Sequence, residues 1–139
     1  LSERIEMIHQ FEENFRFLLK KFQKDLGELF GKEITFHEFL FLKHLSDGEP
    51  QMVSALSKKM KVTASYATTV VDKLLNKGYI NRERSSKDRR IVELTITEKG
   101  TALIKKMDDK QTEYMSQQLE VISDSELETL NLLLNKIKG

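Results

Sequence analysis

The sequence predicts a mainly α-helical chain that carries one small β-hairpin, and three observations predict it. Apolar side chains recur at three-and-four spacing along most of the 139 residues, as in helices with one buried face. That period breaks once, between residues 79 and 96, where Val92, Leu94 and Ile96 alternate with Glu93 and Thr95, the period of a half-buried strand. Capping and turn residues punctuate the helical segments, so the helices are separate elements and not one long rod.

Residues 3–30 read as a first helix, with Ile5, Ile8, Phe11, Phe15, Leu18, Leu19, Phe22, Leu26 and Leu29 on one face and Gly31 as its stop. A stripe of that length outruns a small domain, so part of it is expected to meet another chain; an intramolecular core helix is the alternative. Thr35-Phe36-His37-Glu38 is a capping box, which starts a second helix near Phe36 that runs to about Leu45. Ser46-Asp47-Gly48-Glu49-Pro50 is turn chemistry. A short helix from about Met52 to Met60 comes next, then a break at Lys61-Val62-Thr63. Thr63 caps a further helix that reaches about Lys77, with Gly78 beyond it. Its inner face is Ala67, Val70, Val71, Leu74 and Leu75, and its outer face Ser65, Tyr66, Thr68, Thr69, Asp72, Lys73 and Asn76. Two short helices joined by a tight break, the second with a hydroxyl-rich outer face, describe a helix-turn-helix.

Residues 79–84 and 91–96 then form a hairpin around the cationic loop Ser85-Ser86-Lys87-Asp88-Arg89-Arg90. A hairpin directly after a helix-turn-helix makes a winged helix-turn-helix. From Thr97 the helical period returns and is expected to continue through Leu119 and Ile122. A second capping box, Ser123-Asp124-Ser125-Glu126, starts a last helix with Leu127, Leu130, Leu133, Leu134 and Ile137.

Charge is segregated along the chain. Residues 51–106 carry 13 Lys and Arg against 5 Asp and Glu, whereas residues 1–50 carry 7 against 10 and residues 107–139 carry 3 against 7. A basic middle between acidic ends suits a polyanion on one face and chain–chain packing at the termini. The chain has no Cys, which excludes disulfides, thiolate zinc sites and thiol redox sensing. Its longest apolar run is the four residues Phe39–Leu42, too short for a membrane span or a signal-peptide core; the expected compartment is the cytoplasm. No nucleophile with its base, phosphate-cradling glycine loop or tight metal-ligand cluster is present. His9, His37 and His44 are too sparse for a metal site. No enzyme, no metal and no cofactor is expected.

The hairpin resembles the wing of the MarR family of bacterial transcription regulators. That wing has D-x-R followed by an alternating apolar stretch ending L-T-x-x-G. Here Asp88-Arg89-Arg90 is followed in register by Leu94, Ile96, Thr97 and Gly100. Thr63, Ser65, Thr68, Val71, Asp72 and Leu74, with Lys77-Gly78-Tyr79-Ile80 leading into the wing, are similar to the family's recognition helix. The likeness runs from the first helix to the last. It implies a homodimer with interlocked terminal helices (residues 1–34 and 98–139) and a winged helix-turn-helix lobe between them (residues 35–97). Two such lobes related by a two-fold axis imply double-stranded DNA with a roughly palindromic operator as partner. Thr69 stands where many members carry Arg, so no guanine contact is expected from it. Met52 stands where Thr or Ser commonly caps the first helix of the motif.

On that reading, Ser65, Tyr66, Thr68, Thr69 and Lys73 are the candidates for the major groove; the alternative is that the hydroxyls only solvate the helix and Tyr66 packs on the wing. Arg90 is the candidate for the minor groove, held by a bidentate pair with Asp88, while Lys87 and Arg89 reach phosphates. The alternative for Asp88 and Arg90 is a plain surface ion pair. All eight Phe lie between Phe11 and Phe41. Phe11, Phe15, Phe36 and Phe39, with Arg16 nearby, could line a pocket for a small aromatic or amphipathic effector, against the alternative of core and dimer packing. The function expected is a DNA-binding transcription regulator, a repressor released by a small molecule. The competing expectation is a winged-helix protein–protein module, and the basic wing argues against it because docking faces are depleted in charge at their centre.

Overall fold

The computed structural model describes residues 2–139. Helices α1 (Glu3–Phe30), α2 (Phe36–Ser46), α3 (Val53–Met60) and α4 (Ala64–Asn76) precede strands β1 (Ile80–Arg84) and β2 (Val92–Ile96). Helix α5 (Glu98–Gln118), a 3-10 turn at Leu119–Val121 and helix α6 (Asp124–Lys138) complete the chain. This is the mainly helical winged helix-turn-helix that the periodicity predicts. The chain forms two compact units, Leu1–Lys106 and Met107–Gly139.

Side-chain caps set most helix starts. The Thr35 hydroxyl accepts from the Glu38 N–H at 3.1 Å, and the Glu38 carboxylate accepts from the Thr35 N–H at 2.8 Å, so the first capping box is closed. Ser123 and Glu126 close the second in the same way, at 3.1 and 2.9 Å. The Thr63 hydroxyl accepts from the Tyr66 N–H, whereas Met52 has no side chain able to cap α3.

The core of the first unit is built around α2, which packs against α1, α3, α4 and β2. Phe39, Phe41, Leu42 and Leu45 of α2 are buried, together with Phe30, Ile34, Leu56, Val71, Leu74 and Leu94. Only Leu26 and Phe30 of α1 are buried; Ile5, Ile8, Phe11, Phe15, Leu18 and Leu19 are exposed. No residue of α6 is buried, and Leu130, Leu133, Leu134 and Ile137 are exposed.

Two sequence-based expectations need correction. The fifth helix does not continue as α-helix through Leu119 and Ile122. It ends at Gln118, tightens into the 3-10 turn, and leaves Ile122 extended at φ −119°, ψ 151°. The cap at Ser123 requires the chain to arrive extended, so the preceding turn must unwind. The alternation of Val92, Leu94 and Ile96 also overstates their burial. Of the three only Leu94 is buried and Val92 is exposed, because the hairpin runs beyond the core that would cover it.

The antiparallel hairpin pairs Ile80 with Ile96, Arg82 with Leu94 and Arg84 with Val92. Its base is joined to the helices at both ends. Gln51 bridges Leu94 through N–H donors at 3.2 and 2.7 Å. At Gly78 (φ +81°) the chain leaves α4, and a left-handed turn there lets the Tyr79 N–H reach the Leu74 carbonyl at 3.1 Å. The Thr97 hydroxyl donates to the Gly78 carbonyl at 2.8 Å and accepts from the Gly100 N–H at 3.0 Å. Gly100 lies so close to this junction that a Cβ would collide with the Tyr79 backbone oxygen and sit 2.8 Å from Ile96 Cγ1. Gly100→Ala is therefore expected to cost about 2 kcal/mol through overpacking against a backbone that cannot yield. A thermal melt should show Tm lowered by roughly 5–10 °C, and an unchanged melt would contradict the steric argument.

Candidate nucleic-acid interface

Helices α3 and α4 meet through a turn at residues 61–63. Lys61 takes the left-handed conformation (φ 57°, ψ 45°), the one non-glycine residue with positive φ among those described. Its N–H donates to the Lys58 carbonyl and that of Val62 to the Ser57 carbonyl, which closes the end of α3. The chain then turns at Thr63 into α4, whose first turn contains no carboxylate. Its positive helix end is thus left uncompensated.

Ala67, Val70, Val71 and Leu74 bury one face of α4, which leaves Ser65, Tyr66, Thr68, Thr69 and Lys73 exposed. The two threonine hydroxyls have already committed their protons. Thr68 Oγ1 donates to the Ala64 carbonyl at 3.0 Å and Thr69 Oγ1 to the Ser65 carbonyl at 3.1 Å. What they present outward is a lone pair and a methyl group. In a major groove that combination suits an amino group of adenine or cytosine and the methyl of thymine, and it cannot donate to guanine. Tyr66 behaves differently from its neighbours. Its hydroxyl lies 2.7 Å from His37 Nδ1, and its ring rests against Phe41 at 6.3 Å on α2, not on the wing.

The wing loop is braced by its own polar groups. The Ser85 hydroxyl accepts from the Lys87 and Asp88 N–H groups, and Ser85 N–H donates to the Ile91 carbonyl at 2.8 Å. Arg90 Nε and Nη2 donate to the two carboxylate oxygens of Asp88 at 3.1 and 3.0 Å. These side-chain bonds, with a further one from the Arg90 N–H, hold the Asp88 carboxyl below the usual carboxylate range and raise the guanidinium. The Arg90 side chain is nevertheless 90% exposed, so the fork aims it without consuming its outer edge. Lys87 and Arg89 are exposed on the same loop.

Three supports lie outside the reach of sequence spacing. Arg84 Nη1 donates to the Arg89 carbonyl at 2.8 Å, which stiffens the loop from below. Arg82 of β1 pairs with Asp72 of α4 at 3.5 Å. Lys77, just past α4, donates to the Glu38 carboxylate at 3.0 and 3.4 Å. Only the period-two alternation of the strand hinted that Arg82 and Arg84 share a face; nothing local pointed to Glu38 and Lys77, 39 residues apart.

The five residues considered for an effector divide into two groups. Phe36 and Phe39 cluster with Phe30, with ring centroids 5.8 and 5.1 Å from it, and Phe39 is buried. Phe11 and Phe15 stack on each other at 6.0 Å and are exposed, as is Arg16. Phe15 and Phe30 are fifteen residues apart on one helix, about 22 Å, so the two groups do not line one cavity within this chain.

A helix-turn-helix followed by a hairpin joined to its second helix defines a winged helix-turn-helix protein. The chain belongs to the MarR family, whose model matches residues 34–92. An uncharacterized HTH-type transcriptional regulator of Bacillus subtilis, YpoP, is 34% identical over 137 residues, covering 99% of this chain and 97% of the relative. A MarR family protein of Bacillus stearothermophilus has a similar structure, with TM-score 0.85 and 26% identity over 99% of this chain and 96% of that one. Streptococcus pneumoniae FabT, solved in complex with DNA, shares the fold at TM-score 0.80 with 24% identity, 94% of each chain being covered. The proteins of this family are transcription regulators and not enzymes.

The Glu38–Lys77 pair has a measurable consequence. Glu38 is 3% exposed. Burial pushes its carboxyl up, but the Thr35 N–H and the Lys77 ammonium outweigh that and hold it below its ordinary value of 4.5. The unfolded chain therefore binds more protons than the folded one around and below pH 4.5. The pair's stabilisation is complete above that value and is lost as pH falls through the lowered pKa. Lys77 is partly exposed, which limits the worth of the pair. Glu38→Gln is expected to cost about 2 kcal/mol at neutral pH and markedly less once Glu38 of the wild type is protonated in both the folded and the unfolded chain. Urea midpoints at neutral and strongly acid pH check this, and an equal loss at both would contradict it.

Proposed function

We propose that this protein is a homodimeric, sequence-specific regulator that binds double-stranded DNA at a roughly palindromic operator, as a repressor released by a small-molecule effector. The carrying observation is one continuous structural unit with two complementary features. These are a helix face with no carboxylate in its first turn, and a wing loop that aims Arg90 through Asp88 beside Lys87 and Arg89. In the proposed complex, Ser65, Tyr66, Thr68, Thr69 and Lys73 face the major groove and Arg90 enters the minor groove, with Lys87 and Arg89 on phosphates. FabT, which shares the fold, has been solved in complex with DNA, and this supports DNA as the partner of this chain.

The homodimer reading draws on the apolar faces of α1 and α6, where Ile5, Phe11, Phe15, Leu18, Leu133 and Ile137 are exposed. Apolar surface on that scale is unusual for a monomer. Residues 1–34 and 98–139 would then serve dimerisation and residues 35–97 DNA binding. The exposed Phe11 and Phe15 beside Arg16 are compatible with an aromatic or amphipathic anionic effector. Among the described residues no helix is long and apolar enough to cross a membrane, and the cytoplasm, where duplex DNA is met, is the proposed compartment.

The test is to select duplexes from a random pool and titrate the selected sequence at several salt concentrations. If about six cations per dimer displace counterions, log K should fall with log salt at a slope near −5. Arg90→Ala should weaken operator binding about ten-fold while the melt and the sedimentation coefficient stay unchanged. A flat salt profile, or a monomer that prefers no sequence, would overturn the proposal.

A further inference from the structure

We infer that His37, a residue of α2 outside the helix-turn-helix, is a specificity-setting positioning residue: its imidazole fixes where the Tyr66 hydroxyl points and whether that hydroxyl offers a proton or a lone pair outward. The inference rests on the DNA-binding reading and deepens it. His37 stands in the first turn of α2, held by the closed Thr35–Glu38 box. Tyr66 stands in the first turn of α4, its N–H held by Thr63. The two capped turns therefore face each other across 29 residues of sequence, joined by the 2.7 Å bond between Nδ1 and the phenol. Phe41, fully buried, backs both rings, 6.5 Å from His37 and 6.3 Å from Tyr66. Tyr66 is still 39% exposed, so its hydroxyl has an inner partner and an open outer side.

A phenol has one proton and two lone pairs. If Nδ1 of His37 lacks a proton, the Tyr66 hydroxyl donates inward and shows only lone pairs outward, which suits an adenine or cytosine amino group. If Nδ1 carries a proton, the hydroxyl accepts inward, and its own proton is free for a phosphate oxygen, a guanine N7 or O6, or a thymine O4. An imidazolium carries a proton on both nitrogens, so protonation selects the second arrangement and adds a positive charge. The carboxylate next to it in sequence does not compete for His37. On α2 the Glu38 carboxylate is turned to the Thr35 N–H and to Lys77. On α4 the first turn contains no carboxylate, and the titratable group bonded to His37 among the described residues is the Tyr66 phenol.

The adjoining face of α4 makes this bond consequential. Thr68 and Thr69 have spent their protons on the helix backbone, so among the described residues Tyr66 and Ser65 are the hydroxyls of that face not tied to it. The state of His37 then decides whether the Tyr66 end of the helix can donate. A hydroxyl already held in place also loses less freedom when DNA binds than one on a free ring.

The experiment compares wild type with Tyr66→Phe, His37→Phe, the double variant, and His37→Asn, whose amide can replace the Nδ1 contact without titrating. Each is titrated with the selected duplex and with a random-sequence duplex at constant ionic strength between about pH 5.5 and pH 8, the range in which an imidazole changes charge. Expressing affinity as the ratio of selected to random duplex removes the general effect of added charge. For wild type, with the duplex selected at the acid end of that range, this ratio should rise about five-fold towards acid pH. Tyr66→Phe and His37→Phe should each lower it about five-fold at the acid end and remove its pH dependence, and the double variant should be no worse than either. His37→Asn should keep the neutral-pH ratio and lose the pH response. Full retention of the pH response in Tyr66→Phe, or losses that multiply in the double variant, would overturn the inference. A wild type that binds every duplex alike would instead sink the DNA-binding reading itself, so the two failures are distinguishable.

Discussion

The burial of α2 is the constraint on which the first unit depends. Its apolar residues are distributed around the helix, with Phe39, Phe41, Leu42 and Leu45 all buried. Such a helix must be covered on several sides. The cover comes from the end of α1, from α3 and α4, and from β2. The helix-turn-helix and the wing are thus two parts of one jacket around a single helix. A shift of α2 would displace both the outer face of α4 and the base of the hairpin. Glu38 adds direction to this packing, because one buried carboxylate closes the cap of α2 and receives Lys77 from the end of α4.

Most element boundaries were legible because they rest on local chemistry. The Thr35, Thr63 and Ser123 caps all start helices within one residue of where their hydroxyls place them. Gly31 and Gly78 mark stops. The end of α5 was not legible, since Leu119 and Ile122 fit a helical period that the following cap interrupts. The hairpin was legible in place but not in burial. Alternation reports which residues share a face, and whether that face is covered depends on how far the strand extends past the core.

Within the candidate interface, what could be read was again local. The Asp88–Arg90 fork spans two residues, and the structure places the two side chains as a bidentate pair. The Lys77 support joins residues that only the tertiary fold brings together. The threonine hydroxyls are an intermediate case. Their bonding to carbonyls four residues back is a known habit of threonine in helices, yet residue type alone marks them as both donors and acceptors. Only the bonds to Ala64 and Ser65 remove the donor, and this narrows the bases they suit.

Charge and apolar surface also divide between different parts of the chain, and the division has a physical logic. The wing and the end of α3 carry the cations Lys58, Lys59, Lys87, Arg89 and Arg90 in exposed positions. The exposed apolar residues gather instead on α1 and α6, in the two acidic stretches of the sequence. Those faces lack burial within the chain, and on the proposed reading a second copy of the chain covers them. The single net positive charge of the whole chain conceals this arrangement: near neutrality is the sum of a basic middle and two acidic end stretches, and on the proposed reading the first meets nucleic acid and the second another copy of the chain.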